Sequence, residues 1–466
     1  MTVQEAAQVL HAEWSGPDVL FTGVSTDSRT LRQGDLFVAL SGERFDGGAF
    51  VGSAKEKGAA AALIQHAAAA AALSAGIPLI RVADTRLGLA QLAQHWRSRF
   101  AIPLIGVTGS NGKTTVKEMI ASILRQAVTN GTVETGTQAD PVLATEGNLN
   151  NDIGVPQMLL RLRQQHRYAV IEMGMNHIGE IAYLTRLAKP GVALITNAGA
   201  AHIEGLGSVE AVARAKAEIF SGLDQYGTAV INADDRYAPL WRECAGTRAI
   251  IDFGLREKAL VSAEYQGVRL INKIQLKLPD GNVELNLQAP GVHNVYNALA
   301  AAAAATALGI GKERIAAGLE SFRSVQGRLQ KKLGLHHALL IDDTYNANPE
   351  SVRAALAVLA ATAGKKILVL GDMGELGTSA IDLHRTIGRD ARNAGLDQLL
   401  TLGELSAYAA EAFGKGARHF NTIDELLEVT ESLLADDVTL LVKGSRFMRM
   451  ERVVRQLEQA KELPCY

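Results

Sequence analysis

The sequence has few cysteines and almost no net charge. Cys244 and Cys465 are the two cysteines among 466 residues, too few for a disulfide framework and without the spacing of zinc ligands. The 47 Lys and Arg residues nearly balance the 49 Asp and Glu residues, so no overall field attracts nucleic acid or an anionic membrane surface. We therefore expect a protein of the reducing cytoplasm that binds neither nucleic acid nor a membrane.

Long apolar segments and an export signal are also lacking. The N-terminus carries Glu5 and has no basic residue ahead of a long apolar run. Two alanine-rich stretches, 59–75 and 298–308, are either interrupted by polar residues or shorter than the ~20 apolar residues that cross a bilayer. Both stretches predict helices packed inside a folded protein.

The length and the alternation of elements predict an α/β protein of three domains. A chain of 466 residues exceeds the ~100 to 200 residues of a usual domain. The first segment has a strand at 35–40, a glycine-rich turn and then an alanine-rich helix. Apolar strands and amphipathic helices then alternate, which is typical of a parallel sheet with right-handed crossovers, and the pattern restarts near residue 325. We place the domains at 1–84, 85–324 and 325–466.

Residues 106–117, GVTGSNGKTTVK, have the context of a phosphate-binding loop. They lie between an apolar strand and a helix, where the backbone N–H groups of a glycine-rich turn can bind a phosphate chain. Lys113 adds a positive charge, and the hydroxyl of Thr114 is placed to bind Mg²⁺ on a nucleotide. Val107 occupies the position of the first glycine in the general motif, so an ordinary strand-to-helix turn is the alternative.

The segment GVTGSNGKTT is similar to the phosphate-loop variant of the Mur ligase and folylpolyglutamate synthetase superfamily. Later segments continue the likeness to the Mur ligase family in the same order across nearly the whole chain. The resemblance implies an ATP-dependent, ADP-forming amide ligase with ATP and Mg²⁺ as cofactors, a central P-loop-type ATPase domain and a Rossmann-like C-terminal domain. It implies nucleotide contacts at Thr108, Gly109, Ser110, Asn111, Gly112, Lys113, Thr114, Thr115, Asn294, Asn297 and Arg328.

Three residues of the second domain acquire roles through this resemblance. Glu172 ends an apolar strand and corresponds to a magnesium ligand, although such a carboxylate also often caps a helix. His202 corresponds to a ligand of a second magnesium, although a lone histidine in a turn is commonly a satisfied polar group. Lys216, which its helix position alone would place facing solvent, corresponds to a lysine carbamylated by CO₂; Ala217 departs from the family's usual Lys-Gly-Glu. The implied catalytic residues are Lys113, Glu172, His202 and Lys216, and the implied metal ligands are Thr114, Glu172, His202 and Lys216.

Polar segments in the first two domains are candidates for binding a UDP-linked substrate. The resemblance implies that domain 1–84 holds the UDP end of the substrate and that the amide-rich TEGNLNNDIGVP lines the muramoyl-peptide site. Irregular loop structure would explain the same composition. The implied contacts are Ser28, Arg29, Gly42, Asp46, Asn148 and Asn151.

A segment of the third domain indicates which amine substrate the enzyme would use. In DDTYNANPES, Asn348 is a plausible helix cap and Pro349 a first helical residue, which leaves free N–H groups at a strand end. The segment resembles that of family members that add D-alanyl-D-alanine, and the Asp-Asn-Pro-Arg motif of members that add diaminopimelate is not found. The implied contacts are Tyr345, Asn346, Asn348, Lys443, Ser445 and Arg446.

The resemblance thus implies an enzyme of peptidoglycan synthesis. The missing export signal and the UDP-linked substrate predict a cytoplasmic location, and we expect a monomer. The enzyme would join D-alanyl-D-alanine to UDP-N-acetylmuramoyl-tripeptide through an acyl phosphate and give the pentapeptide. Two alternatives stay open: another Mur or folylpolyglutamate-type ligase with a different amine, and a nucleotide-binding regulatory module without acyl transfer. ATP hydrolysis that requires both substrates would separate the ligase from the module.

Overall fold

Three α/β units follow one another along the chain, each built on its own sheet. The computed structural model describes residues 1–42, 45–68, 76–128, 140–199, 203–268 and 270–459. In these ranges the strands form sheets of five, nine and six strands and a separate two-stranded ribbon. The prediction of three consecutive α/β units is confirmed.

The first unit has a mostly parallel sheet of order β1-β7-β6-β3-β2, in which only β1 runs antiparallel to its neighbour. Its strands are β1 (Glu13–Ser15), β2 (Gly23–Ser25), β3 (Asp35–Val38), β4 (Ser41–Gly42), β5 (Phe45–Asp46), β6 (Ala61–Gln65) and β7 (Leu79–Val82), and β4 and β5 form the ribbon. Its helices are α1 (Val3–Leu10), α2 (Val51–Glu56) and α3 (Thr85–Arg97).

The prediction of a helix over the first alanine-rich stretch is wrong for residues 61–65. Residues 61–65 form β6, and Ala61, Ala62, Leu63 and Ile64 are all fully buried. A central parallel strand is covered on both faces, so it reads as an unbroken apolar run that composition does not distinguish from a buried helix. Residues 69–75 of the same stretch lie outside the described residues.

Helix α3 joins the first unit to the second. Asp84 caps its start by accepting hydrogen bonds from the backbone N–H groups of Arg86 and Leu87. At the other end, Trp96 Nε1 donates to the carbonyl oxygen of Leu162 at 3.0 Å. One apolar cluster runs through α3 from the first unit into the second. The two units therefore share a core rather than meeting at a wet surface.

The central unit has a sheet of order β16-β15-β14-β13-β12-β11-β8-β10-β9, parallel from β9 to β14 and extended by an antiparallel hairpin that we did not predict. Its strands are β8 (Leu104–Thr108), β9 (Val142–Ala144), β10 (Tyr168–Glu172), β11 (Val192–Ile195), β12 (Thr228–Asn232), β13 (Ala249–Gly254), β14 (Val261–Val268), β15 (Ile271–Leu278) and β16 (Gly281–Leu287). Its helices are α4 (Lys113–Val128), α5 (Gly154–Leu159), α6 (Glu180–Ala188), α7 (Ile203–Leu206), α8 (Val209–Ala217), α9 (Ala238–Ala245), α10 (Val292–Ala307) and α11 (Lys312–Ser321).

Strand β8 lies between β10 and β11, so the sheet extends from it in both directions. Open α/β sheets bind ligands in the crevice at the carboxyl ends of such strands. The second alanine-rich stretch belongs to α10, as predicted, and Ala298 to Ala305 are buried against the sheet and α4. Small side chains let this helix lie close to the helix that follows the phosphate loop.

The third unit has a sheet of order β17-β18-β22-β19-β20-β21, in which only β17 is antiparallel. Its strands are β17 (Gln330–Leu333), β18 (Leu339–Asp343), β19 (Lys365–Gly371), β20 (Gln398–Leu402), β21 (Ala417–Phe420) and β22 (Val438–Lys443). Its helices are α12 (Pro349–Ala360), α13 (Ala380–Asn393), α14 (Ser406–Phe413), α15 (Ile423–Ser432) and α16 (Glu451–Leu457). The predicted cap of α12 is confirmed: Asn348 Oδ1 accepts from the Ser351 N–H, and Pro349 is the first helical residue. Every helix in the described ranges is too short or too polar to cross a bilayer.

Candidate active site

A cleft of about 1390 Å³ lies where the three units meet. Small-molecule pockets usually measure roughly 300 to 1,000 Å³, so this cleft has room for more than one ligand. Its lining includes Arg86 of α3, Asn148 and Glu172 of the central unit, and Asn348 and Arg446 of the third unit. The carboxyl end of the central sheet forms its floor.

The phosphate loop keeps an open backbone that only glycine permits at two positions. Gly109 and Gly112 have φ angles of +150° and +83°, and a Cβ atom would collide with Thr196 Oγ1 at the first and with Asn297 Oδ1 at the second. The N–H groups of Ser110 and Asn111 donate to Asn197, at 3.0 Å to its carbonyl oxygen and 2.9 Å to Oδ1. The loop is thus held in one shape before any ligand binds.

The two residues that follow the loop present a cation and a hydroxyl at the start of α4. Lys113 Nζ donates to the carbonyl oxygen of Gly109 at 2.7 Å, so its ammonium lies over the loop. Thr114 Oγ1 donates to Glu172 Oε2 at 2.9 Å and accepts from Arg328 Nη2 at 3.0 Å. A helix N-terminus with these groups attracts an anion such as a phosphate.

Glu172 is the buried carboxylate of the site, with 2% of its surface exposed. Besides Thr114, it accepts a hydrogen bond from Asn150 Nδ2 at 2.8 Å. Within the described ranges no group of three or more His, Cys, Asp or Glu side chains is arranged to hold a metal ion. A carboxylate beside a hydroxyl nevertheless suits Mg²⁺, which is usually bound by one or two carboxylates together with nucleotide phosphates and water.

Lys216 is buried, with 1% of its surface exposed, and does not face solvent as its position in a helix suggested. Burial places the pKa of its ammonium well below the ordinary value, and the charge of Lys113 lowers this pKa further. Burial also lowers the pKa of Lys113, a shift that Glu172 opposes and Arg328 reinforces. The amine of Lys216 is thus pushed towards its neutral, nucleophilic form. His202 lies outside the described residues.

The two predicted asparagines of α10 lie side by side in the cleft. Asn297 Nδ2 donates to Asn294 Oδ1 at 3.0 Å, and Asn294 Nδ2 donates to the carbonyl oxygen of Pro290 at 2.8 Å. Both side chains are buried and line the same cleft as the phosphate loop. As lining residues of the cleft, the two amides can offer hydrogen-bonding groups to the edge of a planar ligand.

Sequence analysis missed a second polar pair beside these asparagines. Tyr296 donates to Asp234 Oδ2 at 2.6 Å, and Asp234 also accepts from the N–H groups of Leu255 and Glu257 at 2.7 Å. Burial and the neighbouring Asp234 raise the pKa of Tyr296 to about 12. The signal was available: Asp234 follows the apolar strand β12, just as Glu172 ends β10.

The third unit touches the phosphate loop directly. Asn348 Nδ2 donates to Asn111 Oδ1 at 2.9 Å, and Asn111 Nδ2 donates to Glu350 Oε2 at 3.0 Å. The guanidinium of Arg328 lies 4.2 Å from the ring centroid of Tyr345. The segment that was predicted to select the amine is therefore next to the loop that was predicted to bind ATP.

Lys443 and Ser445 hold residues 343–347 in place through hydrogen bonds. Lys443 is buried, and its Nζ donates to Asp343 Oδ2 at 2.6 Å and to the carbonyl oxygen of Asn346 at 2.9 Å. Ser445 Oγ donates to the carbonyl oxygen of Ala347 at 3.1 Å. Arg446 instead keeps 62% of its side chain exposed, in an ion pair with Glu451 at the edge of the cleft. Arg446 is thus the cation of this group that is accessible to a ligand.

The predicted contacts of the larger substrate fall into two places. Asn148 and Asn151 line the cleft, and Asn151 Oδ1 also accepts from the Gly154 N–H at 2.8 Å. The four residues of the first unit do not belong to the described lining of the cleft. Arg29 is 84% exposed and pairs with Asp27, and Asp46 Oδ1 accepts from the Gly48 N–H. Ser28 lies in the same turn as Arg29, and Gly42 ends β4.

We expect acidification to destabilise the protein through His293, in the first turn of α10. Burial and the charge of Lys443 lower the pKa of His293 to about 4, from an ordinary value of 6.5. Stability from the neutral form is fully present above pH 6.5 and is lost as the pH falls towards 4, by at most about 3 kcal/mol. Urea unfolding between pH 4 and 7 should show a weaker pH dependence in His293→Asn than in the unsubstituted protein. The same change at exposed His336 should leave the dependence as it was, and an equal effect of both substitutions would contradict the assignment.

Comparisons with known proteins agree along nearly the whole chain. Sequence profiles match for the catalytic domain of the Mur ligase family at residues 20–97, the Mur ligase middle domain at 107–305 and the Mur ligase glutamate ligase domain at 327–446. The UDP-N-acetylmuramoyl-tripeptide–D-alanyl-D-alanine ligase of Escherichia coli K12 is 41% identical over 98% of each chain. A crystal structure of MurF from Acinetobacter baumannii superposes with a TM-score of 0.88 at 39% identity over 98% of each chain. The MurF ligase of Thermotoga maritima in complex with ADP has a TM-score of 0.80 at 27% identity, over 94% of this chain and 98% of that one.

Proposed function

This chain belongs to the Mur ligase family and is an ATP-dependent, ADP-forming ligase, and we propose that it joins D-alanyl-D-alanine to UDP-N-acetylmuramoyl-tripeptide. The observation that carries this proposal is the contact between Asn348 and Asn111, which brings the segment typical of D-alanyl-D-alanine addition to the phosphate loop. The product is the pentapeptide precursor of peptidoglycan. We further propose that the enzyme works in the cytoplasm as a monomer.

We assign one substrate to each domain. Domain 1–84 binds the UDP end through Ser28, Arg29, Gly42 and Asp46; domain 85–324 binds ATP; and domain 325–466 binds D-alanyl-D-alanine. The matches to three separate profiles at 20–97, 107–305 and 327–446 support this division. Asn148 and Asn151 contact the peptide. The amine substrate contacts Tyr345, Asn346, Asn348 and Arg446, while Lys443 and Ser445 hold that segment in place.

The first chemical step activates the peptide carboxylate. Its oxygen attacks the γ-phosphorus of ATP, and the bond from that phosphorus to the β,γ-bridging oxygen breaks. ADP leaves, and the peptide now carries an acyl phosphate. The N-terminus of α4 attracts the phosphate chain, and the ammonium of Lys113 moves from the carbonyl oxygen of Gly109 to the transferring group. Glu172 and Thr114 would hold Mg²⁺, which offsets the charge of the phosphates when it is bound.

The second step forms the amide. The neutral amine of D-alanyl-D-alanine attacks the acyl carbon, and the tetrahedral intermediate expels phosphate while the nitrogen loses a proton. The N–H groups at the start of α12 can receive the carboxylate of the dipeptide, because a helix N-terminus favours an anion. Binding the dipeptide there holds its amine beside the phosphate loop.

Lys216 is proposed to react with CO₂. Its neutral amine attacks the carbon of CO₂ and loses a proton to solvent, which gives a carbamate anion. This anion, together with His202, would hold a second Mg²⁺. Two observations support this proposal: Lys216 is 1% exposed, and its pKa lies well below the ordinary value because of burial. Only an uncharged amine forms a carbamate, so the site favours the reactive form.

Phosphate release from ATP tests the proposed function. With UDP-N-acetylmuramoyl-tripeptide present, release should require D-alanyl-D-alanine and should give the pentapeptide in equimolar amount by mass spectrometry. Diaminopimelate, single amino acids or no amine should give less than about a hundredth of that rate, because the amine must fill the site to capture the acyl phosphate. Activity with another amine would support the assignment as a ligase but contradict D-alanyl-D-alanine as its substrate. ATP hydrolysis at the same rate with and without both substrates would favour the regulatory module.

A further inference from the structure

Lys117 is a buried cation on the helix that follows the phosphate loop. The mechanism proposed above does not use it. It lies one turn after Lys113 on α4, and 1% of its surface is exposed. Its Nζ donates to the carbonyl oxygen of Thr145 at 2.6 Å and also pairs with the carboxylate of Glu118. A fully buried lysine is costly unless its ammonium is paired, so an apolar residue would serve the core better.

The contact with Thr145 lies at the start of the amide-rich segment, residues 145–156. Thr145 follows β9, is itself 1% exposed, and its N–H donates to the carbonyl oxygen of Val170 at 3.0 Å. Lys117 therefore fixes the first residue of this segment to the helix that carries the phosphate loop. The asparagines assigned to the peptide substrate follow within six residues.

The same residue also positions the carboxylate of the site. Thr145 Oγ1 accepts from the Glu172 N–H at 2.9 Å, and Asn150 Nδ2 donates to Glu172 Oε1 at 2.8 Å. Glu172 is thus held by two residues of the amide-rich segment, Thr145 and Asn150. A continuous set of hydrogen bonds runs from Lys117 through Thr145 to Glu172 and on to Thr114.

We propose that Lys117 is a positioning residue for the muramoyl-peptide substrate. It sets the distance between the amide-rich segment and the phosphate loop, and so aligns the peptide carboxylate and Glu172 with the γ-phosphate. The inference rests on the proposed function, since it assigns the amide-rich segment to the peptide. Nucleotide binding itself does not depend on Lys117, because the loop at 109–112 is held by Asn197 and Thr196 instead.

Lys117→Met tests this role, because methionine has a similar length but cannot donate to Thr145. We expect KM for UDP-N-acetylmuramoyl-tripeptide to rise about tenfold and kcat to fall about tenfold, as for the loss of a buried charged hydrogen bond. The affinity for ADP, measured by calorimetry without peptide, should change less than about twofold. Lys117→Arg, which keeps a donor, should recover most of kcat/KM. Glu118→Gln is the matched control, since it removes the charge partner but leaves the bond to Thr145.

Three outcomes would overturn the proposal. The first is an unchanged KM and kcat in Lys117→Met; the second is an equal loss of ADP affinity, which a general loss of structure would produce; the third is an effect of Glu118→Gln as large as that of Lys117→Met. If Lys117→Met does not fold, Lys117→Gln, which is too short to reach Thr145, replaces it with the same expected change in KM. Failure of the unsubstituted enzyme to use the tripeptide would instead overturn the proposed function.

Discussion

Lys216→Met should lower kcat for amide formation by a factor of about 10³ and leave the protein folded. The loss is of the size expected when a preorganised charge is removed from a transition state. Folding is retained because a methionine avoids the cost of burying the Lys216 amine, which is 1% exposed. The rate is measured as ADP and pentapeptide formation at saturating substrates, and folding as the thermal midpoint.

Carbon dioxide distinguishes a carbamate from a simple amine at Lys216. Activity of the unsubstituted enzyme should fall in buffer depleted of CO₂ and return with bicarbonate, whereas the residual activity of Lys216→Met should respond to neither. Lys258, an exposed lysine of the same unit, provides the control substitution. A Lys216→Met enzyme with more than about a tenth of normal kcat would rule out an essential carbamate, since a lost charge of this kind costs about 10²-fold or more.

Glu172→Gln should lower kcat by about 10²- to 10³-fold and raise the Mg²⁺ concentration for half-maximal rate at least about tenfold. An amide can still accept from Thr114, but it lacks the charge with which a carboxylate binds Mg²⁺. The test is a Mg²⁺ titration of phosphate release at fixed ATP. Glu210→Gln, at an exposed ion pair with Arg214, is the control. A normal Mg²⁺ requirement in Glu172→Gln would show that Glu172 does not act through the metal.

Local signals account for what the sequence predicted well. The phosphate loop needs only a strand, a glycine-rich turn and a helix with Lys113 at its start, all within a dozen residues. The start of α12 is likewise encoded by two adjacent residues, Asn348 as cap and Pro349 as first helical residue. In both places the residue type determines the backbone geometry directly.

Signals that depend on distant contacts were read less well. The buried strand β6 was predicted as a helix, because the local pattern does not show the neighbouring strands of its sheet. Lys216 was predicted to be exposed, because the local pattern does not show the elements that cover it. The pair of Asp234 and Tyr296 joins residues 62 positions apart, a proximity that the chain shows only once β12 and α10 are packed. Lys117 stood inside the most informative motif of the chain, yet its partner Thr145 lies 28 positions away.

The side chain of Asn111 joins the phosphate loop to Asn348 and Glu350 of the third unit. Since one residue belongs both to the loop that binds ATP and to the contact between units, the two equilibria are thermodynamically linked. Linkage is reciprocal. If a bound nucleotide raises the equilibrium constant for forming this contact by some factor, then forming the contact raises the affinity for the nucleotide by the same factor. The same asparagine thus makes the position of the third unit part of the measured affinity for ATP.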